Sequence, residues 1–219
     1  VTPGGTKGMF GTRCAFRGVL ELTYADGSKK YYGTDTKTWK AGIAGPVKHS
    51  AIFDGEVYDA RVKQGYETPE LLKTPEENKE FRGQIFPTNG AEIYLREDLT
   101  LQPVRTYIWE GVEGASGDAF GKVIIKKEYK KGEPVTLRKG ETLVVDFGQN
   151  CSAVPSFVFS AKEGTQLMCL PSELLNDGNG SKKRGMDGPE GGVHRLNLRI
   201  PDTGMQLDYT FGGDKKPIS

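Results

Sequence analysis

The sequence predicts an all-β fold, an antiparallel β-sandwich of the jelly-roll or galactose-binding-like type. Short runs of alternating apolar and polar residues predict strands, because every second side chain of a strand lies on the same face. The 219 residues include 30 glycines and 12 prolines, which indicate frequent turns. No long segment has the three-to-four-residue apolar spacing of an amphipathic helix. These three observations favour short strands joined by tight turns.

The first predicted hairpin lies near the start of the chain. Even positions between Cys14 and Tyr24 are mostly apolar, and Ala25-Asp26-Gly27-Ser28 has the composition of a turn. Residues 29–32 are therefore expected to return as the partner strand.

Further strands are predicted along the rest of the chain. The acidic stretch 54–61 is interpreted as a turn running into a strand. Alternating apolar residues then predict strands at 91–95, 104–108, 123–125, 135–137, 143–147, 196–200 and 207–211. The Lys139-Gly140 turn separates two of these strands.

The length of the chain allows one large sandwich or two small domains. Residues 1–9 are expected to form a flexible tail. A first β-rich region is predicted at 10–112 and a second at 113–219, with the glycine-rich interval 111–121 as a linker or a long loop. In the alternative interpretation, both regions belong to one jelly roll.

The charge balance argues against nucleic acid as a partner. Lysine and arginine number 30 against 29 acidic residues, and the basic clusters at 126–131 and 182–184 are short. No apolar run is long enough to cross a membrane as a helix. Cys14, Cys151 and Cys169 are widely spaced, which leaves either one disulfide or free thiols.

The acidic stretch contains the main candidate site residues. In a strand, Asp59 and Arg61 share one face, where they can form a charge-assisted contact, and Glu56 lies on the other face with Tyr58. Asp54 and Glu56 offer carboxylate oxygens to a hydroxyl-rich ligand or to calcium, although they lack the spacing of an EF-hand. The structural alternative is a turn carboxylate, an exposed strand residue and an ion pair.

Aromatic residues near this stretch are candidates for contact with a sugar. A flat ring can stack on the apolar face of a pyranose, and Trp39, Tyr58, Tyr66 and Trp109 are the rings concerned, with Trp39 and Tyr66 preferred. Packing in the core is the alternative role for each of them. His49 and His194 are isolated in the sequence, with no arrangement suited to nucleophilic catalysis.

Several strings of the sequence together resemble a known family. The most specific are Gly-Glu-Val-Tyr-Asp-Ala-Arg at 55–61 and Asp-Phe-Gly-Gln-Asn at 146–150. Weaker ones lie at 39–41, 45–47, 102–105, 163–165, 172–178 and 208–212. In this order they resemble the N-terminal region of bacterial α-L-rhamnosidases, over roughly residues 10–213.

The resemblance implies a non-catalytic group of β-sandwich domains that precedes a catalytic barrel of paired α-helices. The catalytic acid and base would lie in that barrel, outside this sequence. The implied partners of this region are the barrel and a rhamnose-containing glycan. In some relatives the N-terminal sandwich is a calcium-dependent rhamnose-binding module, which makes calcium a candidate cofactor at Asp54 and Glu56. A periplasmic or extracellular location is also implied.

Overall fold

The computed structural model describes residues 18–35, 38–39, 45–51, 54–63, 91, 93–178, 187–196 and 205–213. These residues form eleven strands, and the chain divides into two compact units. Unit 1 comprises residues 1–91, 159–168 and 207–218, and unit 2 comprises most of the remainder. The predicted tail at 1–9, Cys14 and the candidate Tyr66 lie outside the described residues.

Unit 1 begins with the predicted hairpin. Strands β1 (Val19–Thr23) and β2 (Lys29–Gly33) pair antiparallel, with Leu20 opposite Tyr32. In the turn, Gly27 has a φ of 81°, and a carboxylate oxygen of Asp26 accepts the backbone N–H of Ser28 at 2.9 Å. Asp26 and Gly27 thus form the predicted turn, through a side-chain bond to the backbone and a positive φ.

The larger sheet of unit 1 has four strands in the order β3-β4-β11-β8. These are β3 (Val47–Ala51), β4 (Gly55–Asp59), β8 (Gln166–Cys169) and β11 (Gln206–Thr210). Strands β3 and β4 form an antiparallel hairpin. Because β11 lies between β4 and β8, two strands that are distant in sequence pack on either side of the C-terminal one.

Aromatic rings pack together on this part of unit 1. The rings of Tyr58 and Tyr209 are stacked, with centroids 5.3 Å apart and planes 4° from parallel. Phe159 and Phe211 make edge contacts with Tyr209 and with each other, at 4.9–5.4 Å. These four rings supply the apolar contacts beside β4 and β11.

Unit 2 is built on a three-stranded antiparallel sheet in the order β6-β5-β7. The strands are β5 (Arg105–Glu113), β6 (Lys122–Tyr129) and β7 (Thr142–Asp146). A two-stranded pair, β9 (Leu174–Leu175) and β10 (Val193–His194), accompanies it. Tyr107, Val123 and Val144 form the buried core of this unit, with Trp109 and Leu175 packed against them.

Two predicted strands are wrong. Residues 93–95 are not a strand: Ile93, Tyr94 and Leu95 are 100%, 70% and 71% exposed, respectively. Residues 135–137 are also irregular, and they follow Pro134, which has no N–H to donate to a sheet. In both places an alternating pattern occurs without strand pairing.

The predicted fold class is confirmed, because the described residues form antiparallel sheets with no α-helix, consistent with a β-sandwich. The jelly-roll topology stays a prediction. The interval 111–121 lies at the end of the β5–β6 hairpin in unit 2, and the division at residues 112 and 113 also stays a prediction. Within the described residues, no helix is long and apolar enough to span a membrane.

Candidate functional site

The acidic stretch occupies the β3–β4 turn, strand β4 and the residues that follow it. Gly55 is buried and has a φ of 88°, a backbone conformation that glycine adopts without strain. The backbone N–H of Asp54 donates to the carbonyl oxygen of Ala51 at 3.2 Å, which closes the turn. Asp54 therefore lies in the turn and Glu56 at the start of the strand, as the sequence predicted.

Asp54 has a histidine neighbour that the sequence did not suggest. Its Oδ2 lies 3.3 Å from Nε2 of His49, and both side chains are about half exposed. Glu56 is opposite Ser50 across the hairpin. His49, which appeared isolated in the sequence, is thus a partner of Asp54.

These residues supply a small part of a calcium site. Calcium takes six to eight oxygen ligands, and Asp54 and Glu56 provide two carboxylates on either side of Gly55. The part of the chain that the structure describes holds no group of three or more His, Cys, Asp or Glu residues arranged for a metal ion. The described residues alone therefore do not fit calcium, and the calcium site stays a prediction.

Asp59 and Arg61 form the predicted charge-assisted contact, but Arg61 lies in the turn that follows β4 and not in the strand. Arg61 donates from Nε to Oδ1 of Asp59 at 2.9 Å and from Nη2 to Oδ2 at 2.8 Å. The backbone N–H of Arg61 also donates to Oδ1 at 3.1 Å. These interactions, above all the bonds from the guanidinium, outweigh the effect of burial and lower the pKa of Asp59 to about 2.

The aromatic candidates pack on different elements. One face of the Tyr58 ring stacks on Tyr209 of β11. Trp39 is 37% exposed, and its indole Nε1 donates to the carbonyl oxygen of Gly33, at the end of β2, at 3.1 Å. Tyr58 thus has a packing role, whereas Trp39 keeps an exposed surface beside the β1–β2 hairpin.

Three of the strings that resemble the family meet in space. The backbone N–H of Ala60 donates to the carbonyl oxygen of Thr210 at 2.9 Å, which joins 55–61 to 208–212. Phe211 exchanges backbone hydrogen bonds of 2.9 Å with Gly164 and Thr165. We call this meeting of 55–61, 163–165 and 208–212 the motif junction.

The motif junction explains why small residues occur in these strings. A Cβ atom added to Gly212 would lie 2.9 Å from the carbonyl oxygen of Ala60, closer than ordinary packing allows. Gly164 has a φ of 76°, and a Cβ there would lie 4.0 Å from the Arg61 guanidinium. Close backbone contact and the Asp59–Arg61 pair therefore account for the pattern of residues at the junction.

The string at 146–150 has the capping role that its composition suggests. Oδ1 of Asp146 accepts the backbone N–H of Gly148 at 2.7 Å, and Gly148 has a φ of 75°. A carboxylate that bonds the backbone two residues later stabilises a turn.

A buried polar cluster in unit 2 was not predicted. Asn176 and His194 are 2% and 8% exposed, and Nδ2 of Asn176 donates to Oδ1 of Asp187 at 3.0 Å. Nδ1 of His194 lies 3.2 Å from the same oxygen and 3.1 Å from Oδ1 of Asn176. We call these three residues the Asp187 cluster. His194, which is isolated in the sequence, thus has two polar partners at its ring in the structure.

Backbone groups complete the Asp187 cluster. The N–H groups of Arg195 and Leu196 both donate to Oδ2 of Asp187. Burial by itself would raise the pKa of Asp187, but these bonds, the Asn176 amide and the charge of His194 together lower it. Asp187 therefore ties the segment after β10 to the segment after β9.

The Asp187 cluster does not form a nucleophilic triad with the nearby serine. The hydroxyl of Ser172 donates to the backbone carbonyl oxygens of Leu174 and His194, not to the imidazole. A nucleophilic serine needs a base at its hydroxyl. In the sequence, Ser172 and Asn176 belong to one family string at 172–178, which was the only signal that pointed to this region.

The carboxyl groups of the described residues show a common electrostatic trend. Where the pKa of an aspartate or glutamate is shifted, it is shifted downward, by a hydrogen-bonded cation or by N–H and O–H donors. Lys126, one of the basic residues noted in the sequence, bonds Glu110 at 2.9 Å and Glu141 at 2.8 Å. The carboxyl groups with lowered pKa values thus take part in ion pairs or in hydrogen bonds to nearby backbone and side-chain donors.

The chain is similar to known proteins over much of its length. Residues 2–89 match the family described as the alpha-L-rhamnosidase N-terminal domain. The chain is 28% identical over 165 residues to an alpha-L-rhamnosidase of Alteromonas sp. (strain LOR), which covers 75% of this chain and 15% of that protein. It is 27% identical over 158 residues to an alpha-L-rhamnosidase of Formosa agariphila, covering 72% of this chain and 14% of that protein.

No solved structure matches the chain. The aligned stretch is a small part of each relative, because it spans 15% and 14% of their lengths. The resemblance carried by the strings is nevertheless confirmed, since residues 2–89 match the alpha-L-rhamnosidase N-terminal domain and both relatives are alpha-L-rhamnosidases.

Proposed function

We propose that this chain is a non-catalytic accessory β-region of an α-L-rhamnosidase. It braces the catalytic domain and shapes the approach of a rhamnose-containing glycan. The motif junction is the observation that carries this proposal, because the family strings there serve packing and ion pairing. The packed and ion-paired residues of the motif junction suit a rigid support.

The electrostatics of the described carboxylates support a non-catalytic role. A glycosidase uses two carboxyl groups across the scissile bond, and the one that acts as the acid has a raised pKa. Asp59 has its pKa lowered to about 2, so it stays ionised at neutral pH. Its two oxygens are also held by Arg61, which leaves it poorly placed to donate a proton to a glycosidic oxygen.

The proposed partner is the catalytic barrel of paired helices in the same polypeptide. The length of the relatives supports this proposal, because the aligned region is only 15% of one of them. Ile93, Tyr94 and Leu95 are consecutive, apolar and exposed, which suits a surface that packs on another domain. A periplasmic or extracellular location belongs to the same proposal, because a glycan substrate would be met there.

The test measures catalysis and calcium dependence separately. The chain alone is expected to leave an aryl α-L-rhamnoside unhydrolysed, and any rhamnose binding seen by calorimetry is expected to be the same with calcium and with a chelator. Turnover by this chain would overturn the non-catalytic assignment. Rhamnose binding that disappears on chelation and in Asp54→Asn would favour the rival, a calcium-dependent rhamnose-binding module.

The supporting role needs its own measurement. The catalytic segment of the same polypeptide, produced separately, is expected to bind this chain in analytical ultracentrifugation. Ile93→Ser with Leu95→Ser should weaken that association, while the matched pair Lys139→Ser with Lys131→Ser on other exposed positions should not. A catalytic segment that is fully stable and active without any association would contradict the role.

A further inference from the structure

A cleft in unit 2 lies outside the features discussed so far. It has a volume of about 530 Å³ and opens between the end of the β5–β6 hairpin and the segments that contain Gly178 and Glu190. Glu113, Phe120 and Lys122 line it on the hairpin side. We call it the hairpin cleft. Its volume falls within the range of small-molecule binding sites.

The two sides of the hairpin cleft are joined by specific bonds. The backbone N–H of Glu190 donates to the carbonyl oxygen of Gly121 at 2.9 Å, and that of Val123 donates to the carbonyl oxygen of Glu190 at 3.0 Å. The side chains of Lys122 and Glu190 form an ion pair at 2.9 Å. These bonds fix the distance between the two walls.

The Asp187 cluster holds the second wall in place. The backbone N–H of Gly191 donates to the carbonyl oxygen of Asn176 at 3.1 Å, and the N–H of Asn176 donates to that of Gly192 at 2.8 Å. Asn176 in turn bonds Asp187. The buried cluster therefore bonds the same described segments that carry Gly178 and Glu190.

The lining combines groups that suit a sugar. Phe120 is half-buried and supplies a flat apolar ring, and glycines at positions such as 121 and 178 add no side chains to the described part of the lining. The carboxylate of Glu113 receives no hydrogen bond from the residues that the structure describes, so its acceptors are available to hydroxyl groups. A ring, a free carboxylate and an ammonium beside a small-residue surface match the apolar face and the hydroxyls of a pyranose.

The charges of the described lining residues select among sugars. Among them, Glu113 and Glu190 contribute two negative charges and Lys122 one positive charge, which is already paired with Glu190. The net negative charge of these side chains repels a uronate or a sulfated sugar but not a neutral sugar. We propose that the hairpin cleft binds one neutral sugar residue of a glycan, through Phe120 and Glu113 and without a metal ion.

This inference rests on the proposed function, because it assumes that the region meets a glycan. The test records amide NMR spectra of the 219-residue chain with methyl α-L-rhamnoside, methyl β-D-galactoside and methyl β-D-glucuronide. Glycine amides resonate in a separate region of the spectrum, so Gly121 and Gly178 serve as reporters. Saturable changes at these two glycines with a neutral glycoside, at millimolar concentrations and unaffected by a chelator, are expected.

The variants are chosen to spare the fold. Glu113→Gln keeps the shape of the side chain and Phe120→Leu keeps an apolar residue, and each is expected to weaken binding about tenfold. Glu97→Gln is the matched control in the same unit, because Glu97 is exposed and does not line the cleft. It should leave the affinity unchanged.

Several outcomes would overturn the inference. These are no saturable change with any neutral glycoside, binding of the glucuronide alone, or changes confined to the acidic stretch 54–61. None of them bears on the association with a catalytic segment or on the absence of turnover, so the cleft can fail while the proposed function stands. Equal affinity in Glu113→Gln and the original chain would also reject the cleft.

Discussion

The guanidinium of Arg61 meets both carboxylate oxygens of Asp59, at 2.9 Å from Nε to Oδ1 and 2.8 Å from Nη2 to Oδ2. Two parallel bonds of this kind are directional as well as charged, and they fix the angle at which the chain leaves β4. The next residues of the chain bond β11, since the N–H of Ala60 donates to Thr210. The pair thus orients the backbone at the motif junction.

Replacing Arg61 tests this relationship. In Arg61→Gln the pKa of Asp59 should rise from about 2 towards its ordinary value of 3.8, because the hydrogen bonds from the guanidinium are its largest cause. Carboxyl-carbon NMR titration of the aspartates measures it directly. Arg96→Gln, which removes the partner of Asp98, is the control and should leave Asp59 unchanged.

The same pair gives a pH dependence of known sign. The pKa of Asp59 is lower in the folded chain than the value of about 4 expected when unfolded, so its contribution to stability is present above pH 4. It is lost as the pH falls towards 2. The difference in unfolding temperature between the original chain and Arg61→Gln should therefore shrink between these pH values, and a difference that grows there would contradict the assignment.

Tyr58 gives a second prediction, because its ring stacks on Tyr209 at 5.3 Å. Tyr58→Phe keeps the ring and should change the free energy of unfolding by less than about 0.5 kcal/mol. Tyr58→Ala should cost about 2–4 kcal/mol, since it removes both the stacked contact and the buried area. Urea denaturation measures both variants, and a small loss in Tyr58→Ala would show that the ring is not part of the packing.

The parts of the fold that could be predicted from the sequence are those that depend on contacts between residues close together in the chain. The β1–β2 turn was predictable because Asp26 and Gly27 are adjacent and bond within four residues. Strands β9 and β10 have two residues each and pair across an interval of 18 positions, so no alternating pattern marks them. The apolar pattern at 93–95 failed for the opposite reason, because a pattern is present without a partner strand.

The site follows the same rule. Asp59 and Arg61 are two residues apart, and their contact is local, between the last residue of β4 and the turn that follows it. Asp187 bonds Asn176 and His194 across irregular segments, at separations of 11 and 7 residues. Such contacts depend on how distant segments pack, which single-residue chemistry does not reveal.

The Asp187 cluster provides a third prediction. Asp187→Asn replaces an acceptor oxygen with an amide that faces backbone donors, so it should cost about 2 kcal/mol of stability. The amide hydrogens of Arg195 and Leu196 should then exchange faster with solvent. Asp98→Asn, in an exposed turn, is the control and should leave these two amides protected.

The sign of the pH effect follows from the lowered pKa of Asp187. Its stabilisation is present above the unfolded value of about 4 and decreases as the pH falls through the lower folded value. Slow exchange at Arg195 and Leu196 should therefore weaken in acid in the original chain. Protection in Asp187→Asn that equals the original chain at neutral pH would show that the carboxylate does not organise this segment.

Gly121 offers the sharpest steric prediction in unit 2. It has a φ of 79°, and an added Cβ would lie 2.2 Å from the carbonyl oxygen of Glu113 and 2.7 Å from the backbone nitrogen of Ala115. Neither neighbour can move without displacing the β5–β6 hairpin. Gly121→Ala should therefore cost about 3 kcal/mol or more, because the backbone strain and the collision add.

Gly132 is the matched control for Gly121. Its φ of 78° is nearly the same, but an added Cβ would meet nothing within 4 Å. Gly132→Ala should cost only the backbone strain, about 1 kcal/mol. Urea denaturation followed by the fluorescence of Trp109, which packs against the core of the same unit, compares the two variants. Equal losses would mean that the hairpin end can shift to admit a methyl group, and that the walls of the hairpin cleft are not fixed as the bonds between them indicate.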